Sequence, residues 1–97
     1  MKYSNIVKFI PKDGEFDQAI ELLKQPMNVE GLLQNMIVQI GDRMCVAIGI
    51  WESKAHLVNA RPKMIAHLDA VRDKLDIISD ECGVTDPASG PVIFEQK

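Results

Sequence analysis

Two apolar segments separated by a three-residue turn constrain the fold of this chain more than any other feature. Leu32 to Ile40 is apolar except for three amide side chains, and Met44 to Trp51 is apolar throughout. The residues between them, Gly41-Asp42-Arg43, are typical of the turn in a β-hairpin. Both segments place apolar side chains on each face, whereas a sheet with one face in water alternates between apolar and polar residues. We therefore expect a hairpin that is covered on both faces.

The residues before the hairpin predict one strand and one helix. Tyr3 to Ile10 is rich in β-branched and aromatic residues and is predicted to be a strand with Asn5 and Val7 on the same face. An amphipathic helix follows, with Asp13 as its predicted N-cap. It ends just before Pro26, because proline disfavours helical geometry in the preceding residue.

The residues after the hairpin predict helices and a last strand. Pro62 is expected to divide the helical region into a short piece, Lys54 to Ala60, and a long piece that continues through Ile78. Thr85 to Pro91 contains two prolines besides a glycine and is predicted to be a loop. Val92-Ile93-Phe94 is predicted to be the last strand.

The resulting order, βαββαβ, predicts a ferredoxin-like α+β fold, with an antiparallel sheet and helices on one face. A chain of 97 residues is expected to form one domain, residues 1–97. Two helices cover one face of such a sheet, so the apolar second face needs another partner. We expect a homodimer that packs through this sheet face, the alternative being an apolar area that stays exposed.

Composition narrows the classes of function. The chain has 11 Lys+Arg against 14 Asp+Glu and a net charge of −3, which argues against a nucleic-acid partner. No apolar run approaches the roughly 20 residues that span a bilayer, and the first residues lack a signal-peptide core, so no membrane partner is expected. Two cysteines, Cys45 and Cys82, fit a reducing, cytoplasmic location.

The opening strand with its Pro-Lys-Asp-Gly turn, Phe16 on the first helix and the segment Ile50-Trp51-Glu52-Ser53-Lys54-Ala55 together resemble a known family. The chain is similar to the dimeric α+β barrel superfamily and, within it, to antibiotic-biosynthesis-monooxygenase-like domains. That family includes cofactor-free oxygenases of polycyclic phenols and haem-degrading enzymes. Trp51 matches the tryptophan that ends a strand in the family motif.

The resemblance also implies site residues. Asn5 lies in the first strand, where haem-degrading members carry an asparagine. Those members have a second tryptophan and a histidine on the following helical region. Asn59 lies near the position of that second tryptophan. His67 lies close to the position of that histidine but out of register with it. We therefore set haem degradation aside, expect no cofactor, and keep Trp51, Asn5 and Asn59 as candidate substrate-binding residues.

Trp51 and Asn5 each have a structural and a functional interpretation. Trp51 could wall an aromatic pocket, or it could fill a core gap over Gly49 and Ala47, and the second is favoured by how often tryptophan is buried for packing. Asn5 is predicted to point inward or towards a dimer partner. A buried amide needs hydrogen-bond partners, so it is either structural or directed at a ligand.

His56 and His67 are the candidate catalytic bases, because histidine is the side chain whose ordinary pKa lies near neutrality. They would stand about 16 Å apart on a straight helix, too far to share a metal ion, so no metal site is expected. His56 follows Glu52 by four residues, which could orient a base but is more typical of an exposed surface pair.

These observations favour a small cytoplasmic homodimer that carries out cofactor-independent oxidation of a small aromatic substrate. The alternative is a noncatalytic dimer of the same fold that binds a metabolite or acts as a scaffold. The third strand is shallow at Cys45, Ala47 and Gly49. We therefore expect a ligand cavity bordered by Trp51, His56 and Asn5.

Overall fold

The computed structural model of the protein describes residues 1–96. These residues form strands and helices in the predicted βαββαβ order, which confirms the ferredoxin-like α+β fold. The elements are β1 (Tyr3–Phe9), α1 (Phe16–Leu23), β2 (Leu32–Gln39), β3 (Cys45–Trp51), α2 (Lys54–Asp69), a 3-10 turn (Arg72–Lys74) and β4 (Thr85–Pro91).

The strands form an antiparallel sheet in the order β2-β3-β1-β4, with the predicted hairpin β2-β3 at one edge. Cross-strand pairing defines rows of residues that share a face. One row on the helix-covered face combines polar and small residues from all four strands: Asn35, Gly49, Asn5 and Ser89. The next row is apolar: Ile37, Ala47, Val7 and Pro87.

The helix-covered face has two separate groups of buried side chains. The first consists of Phe9, Cys45, Val71 and Leu75. The second consists of Trp51, Leu57 and Ala60, with Tyr3, Val29, Leu32 and Met64 packed around it. They cover opposite ends of β1 and β3, since Phe9 pairs with Cys45 and Tyr3 pairs with Trp51. The middle of the sheet between them carries Ala47 and Gly49 and is therefore shallow.

The predicted division of the second helical region at Pro62 is wrong. A continuous α2 runs through Pro62, and the chain leaves the α-helix after Asp69, so Leu75 and Ile78 lie outside it. Pro62 is exposed, so the Val58 carbonyl that loses its helical donor lies on the solvent side. The apolar repeat continues past the helix end because Val71 and Leu75, which flank the 3-10 turn on either side, fill the first core.

The predicted last strand is also wrong. The segment taken for a loop, Thr85 to Pro91, is β4, and Val92–Phe94 has no strand structure. Strand β4 lies at an edge of the sheet, where a proline that cannot donate a hydrogen bond is tolerated. Pro87 and Pro91 therefore indicate an edge strand here and not a loop.

The predicted cap of α1 differs from the structure as well. Glu15, not Asp13, occupies the N-cap position, and its side chain makes no capping hydrogen bond. A turn precedes the helix, closed by a 2.9 Å hydrogen bond from the Glu15 amide to the Lys12 carbonyl. Gly14 within this turn has a φ of 82°, a conformation that glycine adopts without strain, and the helix starts only after it.

Candidate functional site

A cavity of about 480 Å³ lies over the shallow middle of the sheet, between the four strands and α2. Its volume falls within the range of roughly 300–1,000 Å³ that is usual for small-molecule sites. Its floor is formed by Asn5, Val7, Asn35, Ile37 and Ala47, and its roof by residues of α2 such as Met64 and Leu68. The two buried cores close its ends, so the gap results directly from the small side chains of β3.

Polar side chains are concentrated in one row of the cavity floor. Asn35, Asn5 and Ser89 all line the cavity and belong to the row that crosses the four strands through Gly49. The rest of the floor is mainly apolar. This arrangement suits a flat apolar ligand that carries oxygen substituents along one edge.

The side-chain amide of Asn5 is held in one orientation by Trp51. The Trp51 indole N–H donates a 2.7 Å hydrogen bond to Asn5 Oδ1. Because an indole nitrogen only donates, the Asn5 oxygen must face Trp51, which leaves the two N–H groups of Nδ2 free for another acceptor. Trp51 itself is 1% exposed and packs in the second core. Trp51 is therefore a buried packing residue that also contacts Asn5.

Gly49 makes room for the contact between Asn5 and Trp51. A Cβ atom at position 49 would clash with Asn5 Oδ1 and lie 3.1 Å from Trp51 Nε1. The space above Gly49 is therefore filled by these two side chains. The cavity opens beside them, over Val7 and Ala47.

His67 lies on α2 and lines the same cavity. Its Nε2 is 3.1 Å from the Leu23 carbonyl oxygen. Since a carbonyl only accepts, Nε2 carries the proton in this contact, and Nδ1 presents the lone pair of the neutral ring. The contact to the end of α1 thus fixes the tautomer and leaves Nδ1 as a hydrogen-bond acceptor.

The cavity does not extend to where the sequence analysis expected it. Within the described part of the chain, neither Trp51 nor His56 lines it. His56 belongs to the start of α2: its Nδ1 lies 2.7 Å from Ser53 Oγ, and its Nε2 lies 3.5 Å from Glu52. Its ring also packs on Gly31, where a Cβ would clash with it. Asn59 is exposed on α2 and is likewise not among the described lining residues.

A second cavity of about 460 Å³ lies between α1 and β2. It is lined by Phe16, Ile20, Leu23, Asn35, Ile37 and Cys45, among others. Cys45 is fully buried, and this burial raises the pKa of its thiol. The thiol therefore stays protonated near neutral pH, as expected for a cysteine that acts as a small core residue.

Within residues 1–96 we find no cluster of three or more His, Cys, Asp or Glu side chains that could hold a metal ion. No helix in this range is long and apolar enough to cross a membrane. Cys45 and Cys82 are both free thiols.

Comparison with protein-family models and with curated proteins finds no match. Solved structures do match over nearly the whole chain. A Streptomyces coelicolor monooxygenase in complex with nanaomycin D is 15% identical, with a TM-score of 0.72 over 98% of this chain and 90% of that one. SnoaB, a cofactor-independent oxygenase from Streptomyces nogalater, is 12% identical, with a TM-score of 0.64 over 97% and 95%. A dimeric ferredoxin-like protein from an uncultured marine organism is 11% identical, with a TM-score of 0.73 over 99% and 91%.

The chain has the fold of the antibiotic-biosynthesis-monooxygenase-like proteins. The resemblance seen in the sequence is thus confirmed for the ferredoxin-like fold, at identities too low to transfer an activity or an oligomeric state. Neighbours of this fold include monooxygenases and a protein described as dimeric.

Sequence reasoning missed several residues that line the cavity. Ser89 was overlooked because β4 was taken for a loop. Arg61 was overlooked because it lies next to the proline that was expected to end a helix. On a continuous α2, one face carries Leu57, Arg61, Met64 and Leu68 at spacings of 4, 3 and 4. This spacing is the sequence signal that could have identified Arg61 as a lining residue.

Proposed function

We propose that this protein is a homodimeric, cofactor-independent oxygenase that oxidises a small, electron-rich aromatic compound in the cavity beneath α2. The observation that carries the proposal is the pairing of an oriented donor and an oriented base in one apolar cavity. Asn5 has its amide fixed by Trp51, and His67 has its tautomer fixed by the Leu23 carbonyl. The fold shared with a cofactor-independent oxygenase supports it.

The proposed reaction needs dioxygen and no other oxidant. A ring CH₂ beside a phenolic ring loses a proton to a base, and the resulting anion passes an electron to dioxygen. Recombination forms a carbon–oxygen bond, and loss of water then leaves a carbonyl group. One oxygen atom of dioxygen ends in the product and the other in water, so the two hydrogens removed from the carbon balance the reaction. The protein has to deprotonate, desolvate and position the substrate.

Each step can be assigned to a residue of the cavity. The Nδ1 atom of His67 would accept the proton, since Nε2 is occupied by the Leu23 carbonyl. The Nδ2 group of Asn5 would donate a hydrogen bond to the substrate oxygen on which negative charge develops. Trp51 acts as a positioning residue through Asn5. The apolar residues of α2 would exclude water from the ring.

The test is dioxygen uptake with 1,8-dihydroxyanthrone, with formation of the corresponding anthraquinone measured in parallel. We expect uptake above the rate of spontaneous oxidation. His67→Gln should lower the rate at least about 100-fold, the usual contribution of a general base. His56→Gln is the matched control, because it removes the other histidine, which lies outside the described lining, and should change the rate less than about twofold.

The outcome also separates the two candidate functions. Wild-type protein that binds the anthrone without dioxygen uptake above background would refute the oxygenase and support a noncatalytic metabolite-binding dimer. Uptake that survives His67→Gln unchanged would remove His67 from the mechanism.

The proposed dimer uses the sheet face opposite the cavity. This face carries Ile6, Met36 and Val38, which are 36–40% exposed, together with Ile48 and Ile50 of the central strand. Exposed apolar area of this kind is typical of a protein interface. Pairing two such faces would place the two cavities on the outer sides of the dimer, each complete within one subunit.

A further inference from the structure

The charged residues that line the cavity are positive, although the net charge of the chain is negative. Arg61 and Arg72 line the cavity, and none of the described lining residues is an aspartate or glutamate. The whole chain has 14 acidic against 11 basic side chains, so its composition does not account for this bias. The cavity therefore favours a ligand with negative charge.

The two arginines differ in their availability. Arg72 Nε lies 2.5 Å from Asp69 Oδ1, so a neighbouring carboxylate already pairs with this guanidinium. The Arg61 guanidinium makes no ion pair or side-chain hydrogen bond to any residue in the range 1–96. Arg61 thus presents an unpaired charge next to the apolar lining formed by Leu57, Met64 and Ile65.

We propose that Arg61 is the specificity-determining residue of the cavity and selects aromatic ligands that carry a carboxylate. A planar guanidinium matches a carboxylate with two parallel hydrogen bonds, which a neutral substituent cannot reproduce. The ring would lie against Met64 and Leu68, and the carboxylate would reach Arg61 at the edge of the cavity. This inference rests on the proposed function only in taking the cavity as the ligand site.

Binding of two matched probes, 2-naphthoate and 2-naphthamide, tests the proposal. They share ring and shape and differ in charge, and calorimetry in low salt gives an affinity for each. We expect the naphthoate to bind about tenfold more tightly than the naphthamide to the wild-type protein. The preference should shrink at 0.5 M NaCl, because salt screens an exposed charge.

Variants of α2 assign the preference to Arg61. Arg61→Gln should bring the two affinities to within about twofold of each other by weakening naphthoate binding, and an unchanged midpoint of thermal unfolding shows that the variant is folded. Lys63→Gln is the matched control: it removes one positive charge from the same helix, and Lys63 contacts the Asn28 carbonyl outside the described cavity lining. This variant should keep the tenfold preference. Asp69→Asn should strengthen naphthoate binding, because it frees Arg72.

Each result decides the proposal. Equal affinities in the wild-type protein, or a preference lost in Lys63→Gln and kept in Arg61→Gln, would overturn it while leaving the cavity as an aromatic site. Binding of neither probe would overturn this inference, and dioxygen uptake from the anthrone by the same protein would leave the proposed function standing. A clear naphthoate preference through Arg61, combined with no dioxygen uptake from the anthrone, would support the inference and refute the oxygenase.

Discussion

Gly49 has no side chain of its own, yet the geometry of the candidate site depends on it. The indole of Trp51 and the amide of Asn5 meet in the space that a Cβ at this position would occupy. Sequence reasoning predicted one part of this geometry. Alternation along β1 placed Asn5 and Val7 together, and both lie on the cavity floor. The contact from Asn5 to Trp51 could not be foreseen, because it joins side chains 46 residues apart.

Gly49→Ala is predicted to disrupt the ligand site without unfolding the protein. The new methyl group forces Asn5 Oδ1 away from Trp51 Nε1, at a cost in stability of about 1–3 kcal/mol for overpacking. Affinity for 2-naphthamide should fall at least about tenfold, and Gly49→Leu should abolish binding. Calorimetry and thermal unfolding measure the two effects.

Gly41→Ala serves as the control for this substitution. Its Cβ would meet only the Met44 side chain, at an ordinary 3.5 Å. It should leave both affinity and stability close to wild type. Unchanged binding in Gly49→Ala would show that the orientation of Asn5 is irrelevant to the site.

At the scale of elements, proline caused the two largest errors of sequence reasoning. Pro62 was expected to divide a helix that in fact continues through it. Pro87 and Pro91, together with Gly90, were taken to indicate a loop where the structure has an edge strand. At Pro87 the donor that proline lacks would lie at the sheet edge, so its loss costs little. At Pro62 the missing bond is an intrahelical one on the exposed side of α2, so the helix continues through the proline but is less stable than it would be with alanine. Whether a backbone donor faces solvent or a neighbouring strand is decided by tertiary structure, which local sequence does not encode.

Pro62→Ala is predicted to stabilise α2. Alanine restores the donor to the Val58 carbonyl, and proline inside a helix is about 3 kcal/mol less favourable than alanine. We expect the free energy of unfolding to rise by about 1–3 kcal/mol, measured by urea denaturation. A decrease would mean that α2 is interrupted at Pro62 and that the face formed by Leu57, Arg61 and Met64 is not continuous.

At the scale of the whole molecule, the apolar open face of the sheet predicts self-association. Light scattering at micromolar concentration should give twice the chain mass of 10.8 kDa. Met36→Asp should shift the equilibrium towards monomer, because it would bury an unpaired charge in the interface. Val58→Asp, which introduces the same charge on the exposed side of α2, should remain dimeric. A monomeric wild-type protein would contradict the interface.

The two apolar faces of the hairpin predicted a sheet with one face covered by helices and a second apolar face open to a partner. They did not predict the position of the cavity, because that position depends on how far the two buried cores extend along the sheet from each end. Leu57 and Met64 pack around Trp51 and close that end. The gap therefore lies nearer to His67 than to His56.

In the proposed complex an aromatic ring lies between α2 and the polar row of the sheet. Intermolecular NOEs between the ring protons of 2-naphthamide and the methyl groups of the protein test this placement. We expect contacts to Ile37, Met64 and Leu68, which line the cavity. Contacts to Ile6, Val38 and Ile48 instead, on the opposite face of the sheet, would contradict it.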